Sequence, residues 1–148
     1  MAIQVLTKAV HTYRHDLESF FYVLLWICGR RVWEKGFLCN RNERPREDVF
    51  GRWYRGSFAD IAQSKQGDMH ADGFTRILSS FPPALDCVKP LCNKIRLILF
   101  PLTTEGKLDI GTLLNSEHLY DRIIEEFEAA VSAVADAGHS LSSYDGDF

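Results

Sequence analysis

The chain is 148 residues long, 46% hydrophobic and 25% charged, with a formal net charge of −3. That is the length of one domain with one core rather than two, and the balance of apolar and charged residues excludes a disordered or fibrous protein. The longest unbroken apolar run, Phe20 to Cys28, falls short of the roughly 20 residues that a membrane-spanning helix requires. The N-terminus shows no apolar leader with a small-residue cleavage site, so the expected setting is intracellular, cytoplasmic or nuclear, away from the membrane.

Met1 to Val10 is short and mildly apolar and leads through the polar turn His11-Thr-Tyr-Arg-His15 into the clearest element of the chain. A central helix is predicted over about residues 16–29, with Asp16 as a capping acid at its start, Gly29 at its end, and Arg30 and Arg31 just beyond, where cations complement the helix dipole. It is apolar on almost every side, so it has to be surrounded by protein and serve as the hub of the core. Residues 34–60 read as one irregular central excursion, mixing Gly36, Pro45, Gly51 and Gly56 with charges and with Phe37, Phe50, Trp53, Tyr54 and Phe58. Ser57 to Lys65 reads as a short helix and Gly67 to Gly73 as a turn.

Phe81-Pro-Pro-Ala then breaks the chain. Leu85, Val88, Cys92, Ile95 and Leu99 recur at steps of three and four, predicting a helix over about residues 85–100, with Pro90 in its first turn and Phe100-Pro101 at its end. A polar loop with Gly106 and Gly111 follows. Asn115 or Ser116 caps a last helix, about residues 116–136, that turns Leu119, Ile123, Phe127, Val131 and Val134 inward and stops at Gly138. Residues 138–148 are acidic and serine-rich and are expected to form a disordered tail. With no repeat and no strand pair, the fold class is all-α.

Charge is unevenly spread. From Arg30 to Arg55 eight basic residues face four acidic ones, whereas from Glu105 onward ten acidic residues face two basic ones. Those interspersed acids would repel a phosphate backbone, so the basic aromatic stretch reads as a solvated excursion with its aromatics folded inward, and no nucleic-acid partner is expected. Cys28, Cys39, Cys87 and Cys92 form no CxxC pair and the five histidines are scattered, so no metal site is expected.

Several strings approach a catalytic or binding motif and fail it. Gly51-Arg-Trp-Tyr-Arg-Gly56-Ser57 has the glycine spacing of a phosphate loop but places Ser57 where that loop needs Lys. Asp68-Met-His-Ala-Asp72-Gly73 has the order of a calcium loop, but Ser79 stands where its bidentate Glu should close the shell. Arg14-His15-Asp16-Leu17 has the letters of a kinase catalytic loop, yet Phe21 stands where the magnesium-binding Asn belongs. No catalytic, cofactor-binding or metal-binding residue is assigned.

A different kinase register fits better. Asp16-Leu-Glu-Ser19-Phe-Phe21 resembles the Asp-x-x-Ser-x-Gly that opens the central helix of a protein-kinase C-terminal lobe, and Met1-Ala2-Ile3-Gln4-Val5-Leu6 is similar to the Met-Ala-Pro-Glu-Val-Leu that ends many activation segments. The two strings stand in the proper order and about ten residues apart. The run from His11 to Trp26 strongly resembles the fungal-type protein kinase family, and Leu91 to Phe100 resembles its late C-lobe helix. The resemblance covers residues 1–137 and implies the helical C-terminal lobe of a kinase-like fold, incomplete, beginning at the end of the activation segment.

The resemblance further implies structural roles for Asp16, Ser19, Gln4 and Trp26. In the family the Asp at this position accepts hydrogen bonds from the catalytic loop, which is missing here, and Gln4 replaces a Glu that pairs with a late C-lobe arginine, leaving a neutral hydrogen bond at best. Without a Gly-rich loop, phosphate-pairing Lys, catalytic Asp and Asn, or Asp-Phe-Gly site, no ATP or magnesium binding and no phosphoryl transfer is expected of this chain alone. The face of the central helix that meets the catalytic loop in the family would stand uncovered, inviting self-association or a protein partner such as the missing kinase portion.

Overall fold

In the computed structural model, residues 1–36, 39–111 and 117–142 are described. The elements run α1 (Ile3–Leu6), α2 (Tyr13–Trp26), a π-helical turn (Ile27–Arg31), α3 (Val32–Lys35), α4 (Phe58–Asp68), α5 (Ala71–Ser79), α6 (Lys89–Leu99) and α7 (Glu117–Ser142), with short 3-10 turns at Arg41–Glu43, Gly51–Trp53 and Pro83–Val88. Among the described residues there is no strand, only an isolated antiparallel bridge between Leu102 and Leu108. The fold is all-α.

The central helix is longer than its sequence suggests. It begins at Tyr13, where the backbone N–H of Thr12 donates to His15 Nδ1 at 3.0 Å, and passes through Gly29 without stopping. Gly29 serves packing instead: a Cβ there would collide with the buried Phe50 ring and lie 2.7 Å from Ser80 Oγ. The true stop is Gly36, left-handed at φ 64°, a conformation that costs glycine nothing. The extension carries Trp33 into the core, where its indole N–H donates to the Ser80 carbonyl at 2.8 Å.

Leu17, Phe21, Tyr22 and Leu25 of α2 and Cys28 of the π-helical turn are buried in one cluster with Phe50, Phe74, Ile95, Leu99 and Phe100, each large apolar side chain contributing about 1.5–3 kcal/mol. α6 lies between α2 and α7, and α1 rests on α4. Cys92, Ile95 and Leu99 turn inward as the spacing requires, while Leu85 and Val88 fall on the 3-10 turn before α6 and are half-buried. The hub is nevertheless not enclosed on every side, because Phe20, Val23 and Ile27 are 57%, 52% and 42% exposed.

Three further expectations change. Ser57 caps α4, its Oγ accepting from the Asp60 N–H at 3.2 Å while Asp60 accepts from the Ser57 N–H at 3.0 Å, and the helix runs on to Asp68. Only Met69 and His70 then separate α4 from α5, so Gly67 and Gly73 are helical rather than turn residues. α7 continues through Gly138 to Ser142, so that glycine does not end it. Of its supposed inward residues Leu119 and Ile123 are buried and Phe127 is half-buried, but Val131 and Val134 are 67% and 52% exposed, and Val134 lines an open groove that this end of the helix forms with Cys87, Pro90 and Leu91. The cap assigned to Asn115 or Ser116 and the last six positions of the expected tail, 143–148, lie outside the described residues.

Gly73 has its own packing reason: a Cβ there would strike the Gly67 carbonyl oxygen and approach Asp68 Cα to 2.8 Å. Backbone cannot move aside as a side-chain tip can. Gly73→Ala is therefore expected to cost about 1–3 kcal/mol by overpacking, read as a lower midpoint in urea unfolding, whereas Gly106→Ala, which meets nothing within 4 Å, gives a control whose only strain is its positive φ of 76°.

Candidate functional site

The densest chemistry of the chain is buried where α1, α2 and α6 meet. Glu18, 0% exposed, accepts at Oε1 from the backbone N–H of Ile3 and from the Tyr22 hydroxyl, both at 2.8 Å, and at Oε2 from Arg14 Nη1 at 2.8 Å. Arg14, 3% exposed, donates its second arm to the Leu99 carbonyl at the end of α6 and lies over the Phe100 ring at 5.5 Å. The i, i+4 spacing on α2 brings the pair together. The buried carboxylate and the desolvated phenol disfavour a second negative charge, pushing the Tyr22 hydroxyl well above its ordinary range.

Two more polar side chains extend the cluster. His15 Nδ1 accepts the Thr12 N–H, so Nε2 carries the proton and donates to Gln4 Oε1 at 2.9 Å. Burial pushes this imidazole below its ordinary value. Lys65, brought from α4, lies 4.1 Å from the Tyr22 ring centroid and donates to the Met1 carbonyl at 2.7 Å, and burial lowers its pKa as well. Neither Glu18 nor Lys65 has room for a substrate: Glu18 already accepts three hydrogen bonds and both side chains are closed off from solvent. The cluster fixes the geometry of α1, α2 and α6.

A second buried acid anchors the central excursion. Asp68 receives Trp53 Nε1 and Arg52 Nη2, each at 2.8 Å, with Arg76 Nη2 at 3.7 Å. Burial nonetheless raises its pKa, outweighing those attractions. Trp33, Phe50 and Trp53 are buried, as the inward reading of the excursion requires. Tyr54 and Phe58 are exposed, and Tyr54 is held between Arg30 and Arg55 at 5.3 and 5.2 Å. Trp33 and Trp53 thus have no free face on which a base could stack.

The four residues given structural roles by the sequence do not converge. Asp16 is 62% exposed, with His11 Nε2 at 3.1 Å, Ser19 and Trp26 are half-buried on α2, and Gln4 bonds His15 rather than an arginine. The sequence alone does not single out Arg14, Glu18 and Lys65; an Arg and a Glu four apart at the head of an apolar helix are the signal that points to the first two. Burial lifts the thiols of Cys28 and Cys92 to about 11 and about 12, leaving both protonated and unreactive. Among the described residues no three His, Cys, Asp or Glu side chains are grouped as a metal site, and no helix is long and apolar enough to cross a membrane.

A family model for fungal protein kinase matches residues 1–28. That stretch contains Ile3, Gln4, Arg14, His15, Glu18 and Tyr22, the N-terminal side of the buried cluster. No curated protein and no solved structure matches the chain.

Removing Glu18 strands a buried guanidinium, which costs about 3–5 kcal/mol where a buried pair is broken from one side. Glu18→Ala is expected to lower the urea midpoint by more than Asp60→Ala, whose carboxylate caps α4 in the open. The histidine gives a pH signature. Because the folded pKa of His15 lies below 6.5, the unfolded chain binds its proton first, so this contribution is complete above about pH 6.5 and is lost as pH falls below it. His15→Asn keeps an acceptor near Thr12 and removes the titration, and the wild-type chain should lose more stability than the variant between pH 7 and 5.

Proposed function

We propose that the chain is a C-lobe segment of a fungal-type protein kinase, serving as helical support for catalytic parts it does not itself contain. The observation that carries this is the coincidence of the family match over residues 1–28 with the α1 and α2 unit that Glu18 locks together. The matched stretch overlaps the α1 and α2 part of the cluster. The kinase elements that hold nucleotide and metal, a Gly-rich loop, the paired Lys and Glu, the catalytic Asp with its Asn, and Asp-Phe-Gly, are not among these 148 residues. Phosphoryl transfer depends almost wholly on positioning and charge stabilisation by those groups, so catalysis requires that they be supplied from elsewhere. The stripe of Phe20, Val23 and Ile27 supplies an apolar surface on which such a portion can seat.

A second reading is favoured by the same exposed stripe: a non-catalytic scaffold or decoy that occupies kinase partners without completing an active site. Mixing separates the two. The chain is combined with a separately expressed kinase portion carrying the Gly-rich loop, Lys, catalytic Asp and Asp-Phe-Gly, and phosphate transfer to a generic protein substrate is followed alongside calorimetric titration of Mg-ATP into the chain alone. Support predicts no heat from the chain alone and transfer only in the mixture. Association without transfer favours the decoy, and Mg-ATP binding by the chain alone would sink both readings.

A further inference from the structure

From Tyr13 to Arg31 the exposed residues are Asp16, Phe20, Val23, Ile27 and Arg31. Their spacing of four, three, four and four draws one straight stripe along the helix. An acid stands at one end, a base at the other, and three large apolar side chains lie between them. Over the 15 steps from Asp16 to Arg31, at about 1.5 Å each, the stripe is about 22 Å long.

That order is its own complement under a two-fold rotation. If a second copy is laid antiparallel on the stripe with the axis between Val23 and Leu24, Asp16 meets Arg31 of the second copy, Phe20 meets its Ile27, and Val23 packs at the centre; the same contacts recur on the other side of the axis. Parallel alignment would instead oppose like charges at both ends. Beside Phe20, Tyr120, Ile123, Ile124 and Phe127 from α7 line a mostly apolar groove of about 550 Å³ that Asp16 and Glu128 also border. Tyr120 and Ile124 are themselves 45% and 49% exposed, which extends the apolar surface sideways from the stripe.

We propose that the chain forms a closed, isologous homodimer through antiparallel pairing of α2 and its π-helical turn with the same segment of a second copy, with Phe20, Val23 and Ile27 as its centre and two Asp16–Arg31 pairs as its ends. Isologous two-fold interfaces place the same patch on both subunits and close on themselves, and this stripe has both properties. Its end charges are only lightly committed within one copy: Asp16 pairs with His11 at 3.1 Å and Arg31 with Glu34 at 3.4 Å, in exposed contacts of small net worth. The charges set orientation and register, and the apolar centre supplies the affinity. The dimer does not rest on the kinase reading. It covers the surface on which a kinase portion would seat, so the two assemblies exclude one another.

Sedimentation equilibrium on the full chain tests this, with far-ultraviolet circular dichroism confirming that each variant is helical. The wild-type chain is expected to dimerise with a Kd of roughly micromolar order, and Val23→Glu to be monomeric. Because an apolar replacement can disturb folding, two surface charge variants carry the decisive arm. Arg31→Asp opposes Asp16 with an acid and Asp16→Arg opposes Arg31 with a base, so each alone should weaken dimerisation at low salt by about tenfold or more. Mixed in equal amounts, the two variants restore both pairs and should recover the wild-type dimer as a heterodimer. A monomeric wild-type chain at about 100 μM, open-ended oligomers instead of a dimer, or no recovery on mixing would overturn the proposal. A monomer here would leave the kinase-mixing experiment untouched.

Discussion

The structure turns on one buried carboxylate. Glu18 has no access to water, and a bare charge in that position would be intolerable. Its three donors come from α1, from the turn above and from the turn below on α2. Arg14, which neutralises it, in turn reaches the last carbonyl of α6. Satisfying this one group therefore fixes the angle of α1, the position of α2 and the end of α6 together. Apolar packing alone would accept several arrangements of these helices, since it rewards area without direction, and the polar cluster selects among them. A half-satisfied cluster would be worse than an apolar one.

Lys65 adds to this by a different route. Its ammonium lies against the Tyr22 ring with Trp53 5.7 Å away, so a cation from α4 is held by aromatic faces and by one backbone carbonyl rather than by a full ion pair. Asp68, one turn further along α4, does the complementary thing for the excursion, drawing in Arg52 and Trp53. α4 thus carries a buried cation and a buried anion three residues apart, facing the N-terminal segment and the excursion respectively. Around Val49 to Arg55 the excursion is held by these contacts and by the Phe50 and Trp53 rings, 5.0 Å apart and edge-on.

What the sequence revealed and what it concealed divide along physical lines. The period of Cys92, Ile95 and Leu99 gave α6, and the unbroken apolar run gave α2, because burial imposes periodicity on whatever packs. Gly29, Gly67, Gly73 and Gly138 suggest backbone breaks in the sequence, whereas two of them are small because another element passes too close for a Cβ, and the others sit in helices that tolerate them. Close approach between distant segments leaves no mark in the local string. The same holds for the buried cluster, since Arg14, Glu18 and Lys65 look like ordinary surface residues until the partners from α1 and α6 are in place. On α7 the apolar period persists where the packing against α6 opens into a groove, so Val131 and Val134 have the pattern of core residues but stay exposed.

The π-helical turn at Ile27–Arg31 has a bearing on how this helix tolerates change in length. Hydrogen bonds five residues apart enclose one more residue than an α-helical turn does. The helix before the turn and the helix after it therefore keep the phase of a chain one residue shorter. Loss of a single residue there would let the turn relax to α-helix while Leu25 still faced the core and Trp33 still reached the Ser80 carbonyl. Loss of a residue anywhere else in α2 would rotate one half of the helix against the other by about 100° and pull Glu18 away from Ile3 or Arg14 from Leu99. The central helix thus has one place where the loss of a residue leaves its phase intact, and it lies outside the locked cluster.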